Sequence, residues 1–124
     1  MLGDADAVAF VATTDPAAAR TFYGDLLGLR LVDDSPFAVV FDANGTMLRV
    51  TVVRDAVVAP YTVLGWEVGD VAAEVTALVG RGVAFERFDG MEQDDLGIWS
   101  SPSGALVAWF KDPDGNVLSV TQMP

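Results

Sequence analysis

Residues 110–120 read "FKDPDGNVLSV". An apolar start, a turn cluster around Pro113 and Gly115 and an apolar return predict a strand, a tight turn and a returning strand. Residues 41–50, "FDANGTMLRV", share this layout and align with 111–120, "KDPDGNVLSV", at a constant offset of 70. Upstream, Asp15 and Asp70 each open an apolar run with helical spacing, at an offset of 55. The chain is therefore an internal repeat of roughly sixty residues per copy. A solenoid needs three or more such units, whereas two suggest a pseudo-twofold pair of curved sheets around a shared hollow.

Each copy reads strand, helix, strand, strand, strand. In the first, "AVAFVAT" (6–12) is rich in strand formers. Asp15 fits a helix N-cap and Pro16 the first helical position, where a missing N–H costs nothing. Ala19, Phe22, Tyr23, Leu26 and Leu27 then follow the spacing of a one-sided helix, which Gly28 ends. Strands are predicted at about 29–34, 36–42 and 46–53, the last two joined at Asn44-Gly45. In the second copy "TVLGWEV" (62–68) is a strand, and Asp70 caps a helix with Val71, Val75, Leu78 and Val79 on one face. Strands follow at about 83–88, 95–100, 105–111 and 116–121. The expected class is α+β, with two βαβββ repeats forming a curved mixed-sheet cup. One domain spans 1–124: repeat one at about 6–53, a linker at 54–61, and repeat two at about 62–121.

Composition narrows the chemistry. Among 124 residues there is no cysteine and no histidine. Thiolate catalysis, disulfides and zinc–sulfur sites are excluded, and the commonest metal ligand and general base is missing. Eighteen acidic against seven basic residues give a net charge of −11. Such a surface repels phosphate backbones, so no nucleic-acid partner is expected, while cationic ligands can be steered in. Hydrophobic residues make up 52%, yet no apolar run reaches the roughly 18–20 residues of a membrane span. The start, "MLGDADAVAF", has no basic segment of a signal peptide. The expectation is a soluble cytoplasmic protein with no membrane partner.

With "TTDPAAARTFYGDLLGL" (13–29) and "FKDPDGNVLSV" (110–120) in place, the chain resembles the vicinal oxygen chelate superfamily, the glyoxalase and bleomycin-resistance fold. The first run is similar to the family's Asp-x₆-Phe-Tyr-x₃-Leu-Gly-Leu segment, the second to its terminal Asp-Pro-Asp-Gly-Asn hairpin. The resemblance spans about 6–121 and implies a cup of strands with a helix outside each half, and a homodimer. It also implies four concave-face positions that hold a divalent metal in metal-dependent members, filled there by His, Glu or Gln. Counted from the two motifs, those positions fall on Val8, Arg49, Val63 and Ser119. Two valines, a guanidinium and a neutral hydroxyl are poor ligands, so neither a metal nor another cofactor is expected. Ser119 stands where a metal-dependent relative places a carboxylate.

Strand parity extends the face to Phe10, Met47, Thr51, Val53, Gly65 and Glu67. A four-residue turn in the last hairpin would set Phe110 opposite Val117, on the same face, and leave Trp109 and Trp66 in the core. The candidate ligand-binding residues are thus Val8, Phe10, Arg49, Thr51, Val63, Gly65, Glu67, Trp99, Phe110 and Ser119, with Tyr61 and Phe37 as further stacking candidates. The stretch 88–99, with four acids and no base, reads either as a solvated loop or as a lid bringing Met91 and Glu92 to the ligand. Three functions fit. The leading one is metal-independent binding of a small molecule, aromatic, cationic or carboxylate-bearing, by analogy with the drug-sequestering branch. The rival is a metal-independent isomerase or lyase in which Arg49 holds an oxyanion and Glu67 moves a proton. The third is a metal-dependent enzyme with unrecognised oxygen ligands.

Overall fold

Both helices begin at the two aspartates. The Asp15 carboxylate accepts from the Ala18 N–H and the Asp70 carboxylate from the Ala73 N–H, each at 3.1 Å. Each cap satisfies one of the N–H groups a first turn leaves open. In the computed structural model, which describes all residues from Met1 to Pro124, helix α1 spans Pro16–Ala19 and α2 spans Val71–Gly80. A continuous α-helix was expected to run on to Leu27. Instead α1 widens into a π-helical segment over Arg20–Leu26, with the Leu27 N–H on the Phe22 carbonyl at 2.9 Å. Apolar spacing does not separate the two forms, because both keep Phe22 and Tyr23 on the buried side. In α2 Val71, Val75 and Leu78 are buried as predicted, whereas Val79 is exposed.

Eight strands complete the α+β fold: β1 Val8–Thr13, β2 Arg30–Asp34, β3 Ala38–Ala43, β4 Thr46–Val52, β5 Thr62–Glu67, β6 Trp99–Ser100, β7 Leu106–Lys111 and β8 Val117–Gln122. They form two four-stranded mixed sheets, ordered β1-β4-β3-β2 and β5-β8-β7-β6. In each sheet the first and last strands of a βαβββ half pair in parallel and the other pairs are antiparallel. The chain divides into two compact units, Met1–Val57 and Val58–Pro124, each holding one sheet. In the first, Tyr23, Val39, Phe41, Leu48 and Val50 are fully buried between helix and sheet. In the second, Val71, Val75, Phe110 and Leu118 play that part. No helix is long and apolar enough to cross a membrane.

Residues 83–88 do not form the expected strand. Phe85 makes a single bridge to Phe110, and the Glu86 N–H reaches the Trp109 carbonyl at 2.8 Å. The strand predicted at 95–100 contracts to Trp99–Ser100. Side chains replace the missing ladder here. The Gln93 amide donates to the carbonyls of Glu86 and Gly97 and accepts from the Phe88 N–H, at 3.0, 2.7 and 2.8 Å. Asp94 accepts from the N–H groups of Leu96 and Ile98, both at 2.9 Å.

The last hairpin also departs from expectation, by one residue. Phe110 pairs with Leu118, not Val117, and Trp109 pairs with Ser119. Pro113, Asp114 and Gly115 form a three-residue loop, closed by the Asp112 N–H on the Asn116 carbonyl. Gly115 takes the left-handed conformation (φ 90°) usual at the end of such a loop. The corresponding turn in the first unit has two residues, Asn44 and Gly45. A one-residue slip moves every side chain of a strand to the other face. Phe110 therefore lies in the helix-side core, fully buried against Phe85 and Trp66.

Asp112 holds this loop. Buried, its carboxylate accepts from the N–H groups of Asp114 and Asn116 and from the Asn116 side-chain amide, at 3.0, 2.9 and 2.8 Å. Asp112→Ala strands three donors and is expected to cost about 2–4 kcal/mol, measured by urea unfolding. Asp112→Asn, which keeps part of the acceptor set, should lose less; equal losses would mean the carboxylate is not the organising group.

Candidate functional site

Each sheet has one face under its helix and one open. In the first unit Tyr23 and Phe41 pack with ring centroids 6.0 Å apart, so Phe41 and its strand partner Leu48 mark the helix side. Parity then places Val8, Phe10 and Ala12 on β1, Met47, Arg49 and Thr51 on β4, and Ala38, Val40 and Asp42 on β3 on the open side. Across the strands Arg49 stands level with Phe10 on one flank and Val40 on the other. Phe10 is 61% exposed, and Val8 and Met47 are exposed as well. Arg49 is half-buried and has neither an ion pair nor a side-chain hydrogen bond. Next to its neighbours Val40 and Met47 a hollow of about 320 Å³ is lined by Val8, Val32, Val40, Phe41 and Met47 and by the charged Asp6, Arg30 and Asp42, but not by Arg49 itself. Arg30 and Asp42 pair with each other at 3.5 Å.

In the second unit the Val71 N–H at the start of α2 bonds the Gln122 side chain at 3.0 Å, which marks the even-numbered face of β8 as the helix side. Ser119 and Thr121 face the open side with Gly65 and Glu67 on β5 and Val107 and Trp109 on β7. Val63 shares that parity, next to a register shift between Thr62 and Leu64. Ser119 lies level with Gly65 on one flank and Trp109 on the other. The Trp109 indole N–H donates to the Thr62 hydroxyl at 3.1 Å. Since β8 runs between β5 and β7, this bond lays the indole across β8. Ser119, on the open face, is consequently only 7% exposed.

Gly65 shows why small residues are needed there: a Cβ on it would meet the Ser119 Oγ at 2.6 Å and the Ser119 carbonyl at 3.3 Å. Ser119, set between the apolar Leu118 and Val120, is thus the small neighbour of a glycine beneath a tryptophan. Two more rings complete the surface. Phe88 meets Trp109 edge-on at 5.5 Å, and Trp99 lies tilted against it at 6.0 Å. Trp99, a candidate from the sequence, packs against Trp109 in this cluster. Trp109, Phe88 and Thr62 were missed, the first because the hairpin register was read one residue short. Three residues between Asp112 and Asn116, ending in Gly115, were the available signal. Trp66 packs on the helix side, stacked at 6.4 Å on Phe110. Tyr61 and Phe37 are exposed and belong to neither row.

The metal positions implied by the resemblance do not fit a divalent ion. Val8 and Val63 have no donor atom, Arg49 brings a positive charge, and Ser119 offers only a neutral hydroxyl. No group of three or more acidic side chains stands together as an ion would require. Glu67, exposed on β5, makes no ion pair.

A family model described as the Glyoxalase/Bleomycin resistance protein/Dioxygenase superfamily matches residues 6–120. No curated protein matches the sequence. Among solved structures, a glyoxalase family protein from Enterococcus faecalis superposes with a TM-score of 0.75 at 16% identity, covering 98% of this chain and 99% of its own. A glyoxalase/bleomycin resistance protein from Catenulispora acidiphila gives 0.71 at 22% identity, with 96% and 98% covered. A structure named as lactoylglutathione lyase, from Agrobacterium tumefaciens, gives 0.71 at 21% identity, with 94% and 92% covered. At these identities the likeness concerns the fold.

Gly65→Ala is expected to destabilise the protein by roughly 1–3 kcal/mol, because its methyl group overlaps the Ser119 hydroxyl. Part of that loss should return in the Gly65→Ala/Ser119→Ala double variant, the remainder reflecting the tight carbonyl contact. Strict additivity in thermal or urea unfolding would show that the two positions do not press on each other.

Proposed function

The chain belongs to the glyoxalase/bleomycin resistance protein/dioxygenase superfamily, and from that premise we propose that it is a metal-independent small-molecule-binding protein that holds its ligand without altering it. The observation that carries this reading is the Phe88–Trp109–Trp99 cluster on the open face of the second sheet. The Trp109 ring, with Phe88 edge-on at 87° and Trp99 tilted at 40° beside it, forms an aromatic corner that offers a flat ligand contact at little cost in side-chain entropy. The Trp109 indole is anchored by Thr62, so it is already oriented in the free protein, which reduces the ordering cost of binding. The charge around the rings favours a cation. Glu67 is exposed on the same face, and the segment preceding Trp99 carries Asp89, Glu92, Asp94 and Asp95. A cation over an indole gains about 0.5–2 kcal/mol, and the net charge of −11 raises its local concentration. The ligand class is therefore a planar aromatic cation, and sequestration is the role that needs no catalytic group.

All three tryptophans, Trp66, Trp99 and Trp109, lie in the second unit, so intrinsic fluorescence reports on this surface. Titration with a quaternary quinolinium salt should quench it saturably, with or without a chelator. Trp109→Ala should weaken binding about tenfold or more, while Trp109→Phe retains most of it. Unchanged affinity in Trp109→Ala, a requirement for added divalent metal, or recovery of a chemically altered ligand would each overturn the proposal.

A further inference from the structure

We propose a second site, on the open face of the first sheet, that binds a small carboxylate through Arg49, with the ligand's apolar body in the adjoining hollow. The starting point is an imbalance of charge. The chain has 18 acidic residues and seven basic ones, so a basic group has many candidate partners. Arg20 is paired with Asp34, Arg30 with Asp42, and Arg87 donates to the Asp95 carbonyl. Arg49 is half-buried among apolar neighbours and pairs with none of them.

Its surroundings explain the isolation. Phe10 and Val40 flank it across the strands, and Met47 and Thr51 flank it along β4. On this face Asp42 is taken by Arg30. Asp33 is level with Val40 on β2, two strands from Arg49, and neither it nor Asp6 forms an ion pair with Arg49. A half-buried cation without a partner has lost part of its hydration and gained nothing in return. An incoming carboxylate corrects this, because the planar guanidinium can donate two parallel hydrogen bonds to it.

The hollow next to Val40 and Met47 selects the rest of the ligand. Its volume of about 320 Å³ lies at the small end of ligand pockets. Val8, Val32, Val40, Phe41 and Met47 give it a mainly apolar lining, to which Asp6 and the Arg30–Asp42 pair add charge. A monocarboxylate with a short aliphatic or aryl body satisfies both features. A phosphate would satisfy the charge and leave the hollow unfilled.

The test uses the whole chain and two probes, hexanoate and phenylacetate, with their neutral amides and inorganic phosphate as controls. Calorimetry should show one carboxylate bound per chain, more weakly at high salt and unaffected by a chelator. The amides, phosphate and the Arg49→Met variant should each bind about tenfold or more weakly, with Arg49→Lys in between. Amide-proton NMR should place the perturbed residues around Val8, Val40, Met47 and Arg49, and show that Arg49→Met remains folded. Equal binding of acid and amide, full binding by folded Arg49→Met, perturbations confined to residues 62–122, or no binding at millimolar concentration would each overturn the site. Tryptophan fluorescence follows the aromatic surface of the second unit, so either site can fail without the other.

Discussion

The parallel pairing of the first and last strands in each half is the constraint on which the remaining features depend. Parallel neighbours cannot be joined by a tight turn; they need a crossover long enough to hold other elements. In this chain the crossover holds a helix and the two middle strands. The helix can bury its apolar stripe only against one side of the sheet it spans. Every strand is thereby divided into residues that face the helix and residues that face outward. Arg49 on β4 and Ser119 on β8 lie on strands flanked by neighbours on both sides. Their outward direction is fixed by the sheet and does not depend on a flexible edge.

The two halves share this scaffold and diverge in one row of three residues. In the first the row is Phe10–Arg49–Val40, and in the second it is Gly65–Ser119–Trp109. The divergence follows volume. Trp109 crosses β8 to reach Thr62 at the level of the small Ser119, and Gly65 on the other flank lacks room even for a methyl group against Ser119. In the first unit no large ring crosses the central strand, and a long cationic side chain occupies it instead. Two units of one plan thus carry an aromatic cluster in one case and an isolated cation in the other.

Superfamily membership explains the strand order, the capped helices and the hairpin ending in Asp112, Gly115 and Asn116. It leaves ligand chemistry open, because that depends on a few outward-facing side chains which the fold does not require. The four positions that the resemblance assigned to metal ligands hold valine, arginine and serine here, and the neighbours account for the serine. Ser119 belongs to the packing beneath Trp109, while Arg49 has no packing role that requires its charge.

Local chemistry in the sequence was sufficient for the class of fold. Asp15 and Asp70 announced the helices, the offsets of 55 and 70 exposed the repeat, the family motifs singled out Val8, Arg49 and Ser119, and alternation along each strand added Phe10, Thr51 and Gly65. These are short-range rules, in which each residue's part depends on neighbours a few positions away. The pairing of Trp109 with Ser119 was decided only in three dimensions. It rests on one additional loop residue, held by buried Asp112, and a change of one exchanges the faces of a whole strand. Periodicity also predicted a strand at 83–88, where the Gln93 side chain takes over the backbone's bonds. Such substitutions leave no periodic trace, because a side chain reaching across a loop has no fixed spacing.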